Sequence, residues 1–276
     1  MLRERIRLIA ESAGAEAVAV AVYDFQHDIA WTMHGERWFH AASTIKVPVL
    51  LGVYGAIEKG RLQPYSRVHV RNRFLSVIDK RPFAVSPGRD ANTAVHAAIG
   101  KTMTVHELAE HMIVTSSNLA TNLLIDLIGI DNIRATLRSL SLTGIDLQRC
   151  IEDDAGWRAN INNRITAEGY GQALRLIAER KAISEAASDA MLDILHDQRF
   201  RGGIPAGVPD AARVANKTGE MSTVAHDGGI VYLDGRDPYV VVILTEWRPD
   251  ADNRRHTIAS ISRAVYEHLA SGGDDD

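Results

Sequence analysis

Cysteine occurs once, at Cys150, so the chain can close no disulfide on itself and can build no cysteine-based metal cluster. That single thiol reads as a buried apolar filler. No uninterrupted apolar run is long enough to cross a membrane as a helix. Residues 1–7 mix Leu and Ile with Arg and Glu and lack the apolar centre of a signal peptide. The expectation is therefore a cytoplasmic protein as the sequence stands, periplasmic or secreted if an export signal precedes it. A net charge of −4 gives nucleic acid or an anionic membrane no electrostatic hold. Lysine is scarce as well: Lys46, Lys59, Lys80, Lys101, Lys181 and Lys217, with arginine making up the other 25 of 31 basic residues. Each lysine position therefore carries information.

What the chain has is apolar mass. Hydrophobic residues are 46% of 276, enough for a sizeable core in one large domain or two interleaved subdomains, and too many for disorder. Periodicity predicts a helix over 2–13, a Val-rich buried strand over 17–23 and a return strand over 29–33. A helix over 43–57 must begin near Ser43, because Pro48 suits only a first turn. Residues 61–101 carry three prolines and two glycines in no regular pattern and read as a long surface excursion that covers the cleft or forms a lid. Helices follow over 104–113, 118–128 and 133–139. Residues 149–164 read as a loop, 166–180 and 185–196 as helices, and 201–205 as a turn. Strands are expected over 213–217, 224–233 and 239–246, then a helix over 251–269 and a flexible acidic tail. There is no internal repeat. This order makes one antiparallel sheet from both chain ends, flanked by the terminal helices, with the helical block as a second lobe and a cleft between. The expected division is an α/β lobe from 1–60 and 205–271, a helical lobe from 61–204, and a tail at 272–276.

Three short motifs carry the chemistry. Ser43-Thr44-Ile45-Lys46 puts a hydroxyl at a helix N-terminus, where free N–H groups favour developing negative charge, and a lysine one turn on. A serine is a poor nucleophile until a neighbour takes its proton, and a lysine does that when burial and nearby positive charge lower its pKa. Alone, the pair also reads as a helix cap and a solvated lysine, but the apolar flanks argue against solvation. Ser116-Ser117-Asn118 reads either as a cap or as a proton relay, Ser116, with an amide, Asn118, that holds a substrate carbonyl and positions Lys46. Lys217-Thr218-Gly219 ends a strand. It reads either as an edge protected by charge or as a cation and hydroxyl for an anionic substrate group, with Gly219 permitting close approach. His106 and His111 flank a near-match to a zinc signature, but one residue too far apart to ligate together.

In this order the motifs resemble those of the penicillin-recognising serine hydrolases, and most closely the class A serine β-lactamases, over nearly the whole chain. The resemblance implies an α+β fold: a three-layer α/β/α lobe with a five-stranded antiparallel sheet, plus an all-helical lobe. It implies Ser43 as the acylated nucleophile with Lys46 as its basic partner, and Ser116, Asn118, Lys217 and Thr218 in the roles just described. The backbone N–H groups of Ser43 and Glu220 would form the oxyanion hole. No cofactor and no metal are implied. The partner is a small acyl substrate, a β-lactam or a relative, and the oligomeric state stays open.

The chain departs from that family in places. Ser117 stands where class A usually has Asp. The span from Ser43 to Ser116 is long, which places an insertion in 61–101. Class A enzymes carry an E-x-x-L-N loop whose glutamate activates the deacylating water. Here the loop reads Glu152-Asp153-Asp154-Ala155-Gly156, so Glu152 is in place but Leu and Asn are not; either Asp153 or Asp154 stands in, or nothing does, and the stretch reads equally as an acidic solvated loop. Glu220 would disfavour an anionic substrate if it points into the cleft. His226-Asp227 occupies the place where many class A enzymes put an arginine for the substrate carboxylate, which leaves that task to Lys217 and Thr218. Three functions compete: β-lactam hydrolysis through a Ser43 acyl-enzyme; hydrolysis of another ester, peptide or amide; and slow deacylation, which makes a penicillin binder or sensor.

Overall fold

The computed structural model describes residues 1–271; the tail expected at 272–276 lies outside the described residues. Five strands form the main sheet: β1 Ala17–Asp24, β2 Ile29–Met33, β3 Arg213–Met221, β4 Val224–Leu233 and β5 Arg236–Glu246. Their order is β3-β4-β5-β1-β2 with every neighbour antiparallel, so the two chain ends meet where β1 pairs with β5. Side chains alternate across β1. Val18, Val20 and Val22 face a core with α1 (Leu2–Ser12) and the C-terminal helix, while Ala19 and Ala21 face the opposite layer.

Between the chain ends lie α2 Lys46–Glu58, α3 Ala94–Ala97, α4 Val105–Val114, α5 Asn118–Ile128, α6 Ile130–Ser139, α7 Asp154–Arg158, α8 Ala167–Ala178 and α9 Glu185–His196; α10 Arg254–Ala270 closes the chain. Helix α2 is apolar all round, and 11 of its 13 residues are buried, which makes it the central helix of the helical lobe. Gly52 and Gly55 let α6 lie against it. A Cβ at Gly52 would stand 2.7 Å from Ile133, and one at Gly55 2.7 Å from Thr136. Helix α2 packs on α4, α5 and α6.

Three local expectations also change. Strand β3 does not end at the Lys217-Thr218-Gly219 motif but runs to Met221, because it pairs with β4 in register until Met221 faces Val224 across a tight hairpin. The motif is therefore in mid-strand on the sheet edge. Within 149–164 a short helix, α7, is nucleated by Asp153, whose side chain accepts from Gly156 N at 3.1 Å. The 61–101 excursion is held by two small ribbons, Arg67–His69 with Thr102–Thr104 and Phe74–Leu75 with Pro82–Phe83. Among the described residues no helix is long and apolar enough to cross a membrane. Cys150 is only partly buried, and burial still pushes its thiol up to about 12.

Candidate active site

Ser43 lies in a 3₁₀ turn, Ala42–Ile45, that runs directly into α2. The residue before it, Ala42, takes φ +45°, and its N–H is received by His40 Nδ1 at 3.1 Å. Two more non-glycine residues at the cleft are left-handed, Ser116 at φ +57° and Glu152 at +63°. Such backbone is costly and persists only where its surroundings hold it.

Lys46 follows one turn after Ser43 and is fully buried. Its Nζ meets Ser116 O at 2.7 Å, Asn118 Oδ1 at 2.8 Å and Ser116 Oγ at 3.1 Å. Burial, and then the charge of Lys217, hold its pKa well below the usual lysine range, against the opposing pull of Asp90 and Glu152. A neutral amine has two N–H donors, enough for the two short acceptors. Its lone pair is then left to a hydroxyl.

Ser116 Oγ also lies 3.0 Å from Lys217 Nζ, so the hydroxyl sits between two buried amines. Lys217 Nζ also donates to Thr218 O at 2.8 Å, and burial brings its pKa down to about 7. Gly219 lies against the turn of the nucleophile: a Cβ there would stand 3.0 Å from Ser43 N and 2.9 Å from Thr44 N. Only glycine permits that approach.

Glu152 is buried against the same network, its side chain 5% exposed. Oε1 accepts from Asn118 Nδ2 at 3.0 Å and Oε2 from Ser86 N at 3.1 Å, with Arg89 Nε at 3.4 Å. Asn118 thus joins Lys46 on its oxygen to Glu152 on its nitrogen. Of the two neighbouring acids, Asp153 is turned to Val77 N and Gly156 N, while Asp154 pairs with Arg89 at the cleft rim. Glu220 lines the cleft but is held by Arg254 at 3.1 Å and Arg255 at 2.6 Å, so its charge is met. Arg89, Arg199, Arg201 and Arg255 line the same space.

The sequence reading missed Asp90. It comes from the excursion, and its buried carboxylate accepts from Ser117 Oγ (3.1 Å), Asn118 N (2.9 Å) and Leu119 N (3.0 Å), with His96 Nε2 at 3.1 Å. Ser117 itself caps α5 through Ala120 N. The acid absent from the middle of the second motif is thus supplied from a distant loop, which fixes the start of α5 and the turn at Ser116. Replacing Asp90 with Ala leaves these donors unpaired and should cost about 2–4 kcal/mol, with Asn costing less. Urea denaturation midpoints measure it; an unchanged midpoint for the Ala protein would count against the anchor.

Two cavities meet at Ser43. One, about 430 Å³, is lined by Ser116, Thr218, Gly219 and the arginines. The other, about 510 Å³, is lined by Glu152, His40, Trp157 and Met221. Among the described residues no group of three or more His, Cys, Asp and Glu is placed to hold a metal ion.

A family model described as the Beta-lactamase enzyme family matches residues 1–269. The chain belongs to that family. Within it the chain is class A serine β-lactamase-like. β-Lactamase VEB-1 of Pseudomonas aeruginosa is 20% identical over 267 residues, covering 91% of this chain and 85% of that protein. A β-lactamase of Bacteroides uniformis is 29% identical over 186 residues, 61% of each chain. Among solved structures, the β-lactamase of Sphaerobacter thermophilus is similar at a TM-score of 0.81 and 27% identity, covering 100% of this chain and 98% of that one. PBP-A, at 22% identity and TM-score 0.84 with 98% and 96% covered, shares the fold. As a β-lactamase-family chain with this fold, the protein is a class A β-lactamase-like hydrolase.

Proposed function

We propose that the protein hydrolyses the amide of β-lactams through a Ser43 acyl-enzyme. The observation that carries this reading is the buried Lys46 amine, held by Ser116 and Asn118 one turn from Ser43 and depressed by burial and by Lys217. Lys46 takes the Ser43 proton as Oγ attacks the lactam carbonyl. The developing oxyanion is received by the N–H groups of Ser43 and Glu220, where Gly219 lets the strand approach. Ser116, between the two lysines, passes the proton to the departing nitrogen. Lys217 and Thr218 hold the substrate carboxylate, and Asn118 the acyl-side carbonyl. Glu152 then draws a proton from water, which attacks the acyl carbon and frees Ser43. The family's β-lactamase members support the substrate class.

The reading fixes a pH profile. Lys46 must be neutral and Lys217 charged. With Lys217 near 7, kcat/KM should fall on the alkaline side with a midpoint near there. A bound carboxylate favours the charged amine, so the same limb in kcat should move to higher pH. Spectrophotometric penicillin hydrolysis across pH tests this, with the Ser43→Ala protein as control. Turnover surviving in that control, or an alkaline limb absent from both profiles, would count against the proposal.

A further inference from the structure

His40 touches three parts of the molecule that meet at the site. The segment Phe39–His40 pairs with Arg164–Ile165, just after the loop that carries Glu152, and places His40 opposite Arg164. The next residue continues that seam, with Ala41 N donating to Asn163 O at 2.9 Å. His40 O accepts from His226 Nε2, on β4, at 2.9 Å. Its Nδ1 accepts from Ala42 N at 3.1 Å. Its ring meets that of Trp157, on α7 in the Glu152 loop, edge to face with centres 5.2 Å apart and planes at 70°. The Arg149 guanidinium lies 5.9 Å from the same Trp157 ring, and Arg149 Nε donates to Ile161 O at 2.7 Å.

The Ala42 contact bears on the chemistry. Ala42 holds φ +45°, a costly conformation for an alanine, and it directly precedes the nucleophile. The plane of the Ala42–Ser43 peptide sets where the Ser43 N–H points. Pairing the Ala42 N–H needs a lone pair on Nδ1, so the neutral ring carries its proton on Nε2. Burial, then the charges of Arg149 and His226, bring the His40 pKa down to about 4, which keeps that lone pair available at neutral pH. Nε2 is itself buried and has no hydrogen-bond partner among the described residues. An unpaired buried donor is unfavourable, and a phenylalanine packed here would avoid it. An asparagine would pair Ala42 N as well but offer Trp157 no ring. Histidine alone does both.

We infer that His40 is a positioning residue with two separable tasks: through Ala42 it aims the Ser43 N–H at the oxyanion, and through Trp157 it seats the Glu152 loop for deacylation. This rests on the acyl-enzyme reaction proposed above.

The test splits the two tasks. In His40→Asn, Oδ1 stands as many bonds from Cα as Nδ1 does and can accept from Ala42 N, a bond asparagine makes readily. The ring contact is lost. In His40→Phe the ring stays and the acceptor is lost. Rates of adduct formation and decay on mixing with penicillin are read by mass spectrometry. His40→Asn should acylate near the wild-type rate and deacylate about tenfold more slowly. His40→Phe should acylate about 10–100-fold more slowly. Trp157 is half-exposed, so Trp157→Ala should fold and repeat the asparagine result, with little further loss in the double variant. Should the phenylalanine protein fail to fold, the asparagine and Trp157 proteins still decide. Phenylalanine acylating like wild type, asparagine slowing acylation as much as phenylalanine, or Trp157→Ala deacylating normally would overturn the inference. Amide exchange measured without substrate separates this from the reaction itself. Ala42 N should stay protected with asparagine and lose protection with phenylalanine, and equal protection in both would overturn the Ala42 task. If wild-type protein forms no acyl adduct while that exchange pattern stands, the acylation reading alone has failed.

Discussion

Replacing Lys46 with Ala should slow acylation of Ser43 by about 10²–10⁴-fold, the range for losing a positioned general base. The amine is buried and its pKa is held well below the usual lysine range by burial and by Lys217. Its two short contacts, to Ser116 O and Asn118 Oδ1, fix its direction without using its lone pair. Lys46→Arg should do no better, since a guanidinium stays charged and cannot accept the proton. The rate of adduct formation on mixing with penicillin measures the effect. A loss smaller than about tenfold would place the base elsewhere.

Replacing Glu152 with Gln should leave acylation near the wild-type rate and slow deacylation by about 10²–10⁴-fold, so that acyl-enzyme accumulates. Gln keeps the shape and an oxygen for Asn118 Nδ2 but cannot take a proton from water. The altered loop sequence does not leave the glutamate loose. Asn118 Nδ2 and Ser86 N hold its two oxygens, and Arg89 lies beside it. A backbone N–H from the excursion, Ser86 N, thus helps fix the glutamate. Burst kinetics separate the steps: a full burst and a nearly flat steady state are expected. Undiminished steady-state turnover would remove Glu152 from the reaction.

Much of this was legible in the sequence because its signals are local. The strand and helix order followed from apolar period and from Gly and Pro breaks, and the five-stranded sheet joins the two chain ends as that order implies. Helix α2 was visible as an apolar run, but its place at the centre of the helical lobe depends on Gly52 and Gly55 meeting α6, a contact no local pattern encodes. The Lys217 strand was cut short at Gly219 because glycine usually ends a run, whereas here it admits the Ser43 turn.

Around the site, the three motifs were readable as residue types at fixed spacing, and the structure brings them together with Glu152. The supports were not readable. Asp90, Ser86 and Arg89 sit in a stretch without periodicity, and their meaning comes only from where that stretch folds back. The partners of Glu220 were hidden for the same reason: Arg254 and Arg255 reach it from the far end of the chain. One signal was available. A serine in the middle of the second motif called for an acid from elsewhere, and 61–101 was the segment with length to spare.

The most direct test of the account is intact-protein mass spectrometry during incubation with penicillin, with Ser43→Ala alongside. The account predicts an added mass equal to the whole penicillin, located on the Ser43 peptide, that appears and then decays as product forms, and no addition in the control. An addition that maps to another residue, or hydrolysis with Ser43 replaced, would contradict the central claim that Ser43 carries the acyl group.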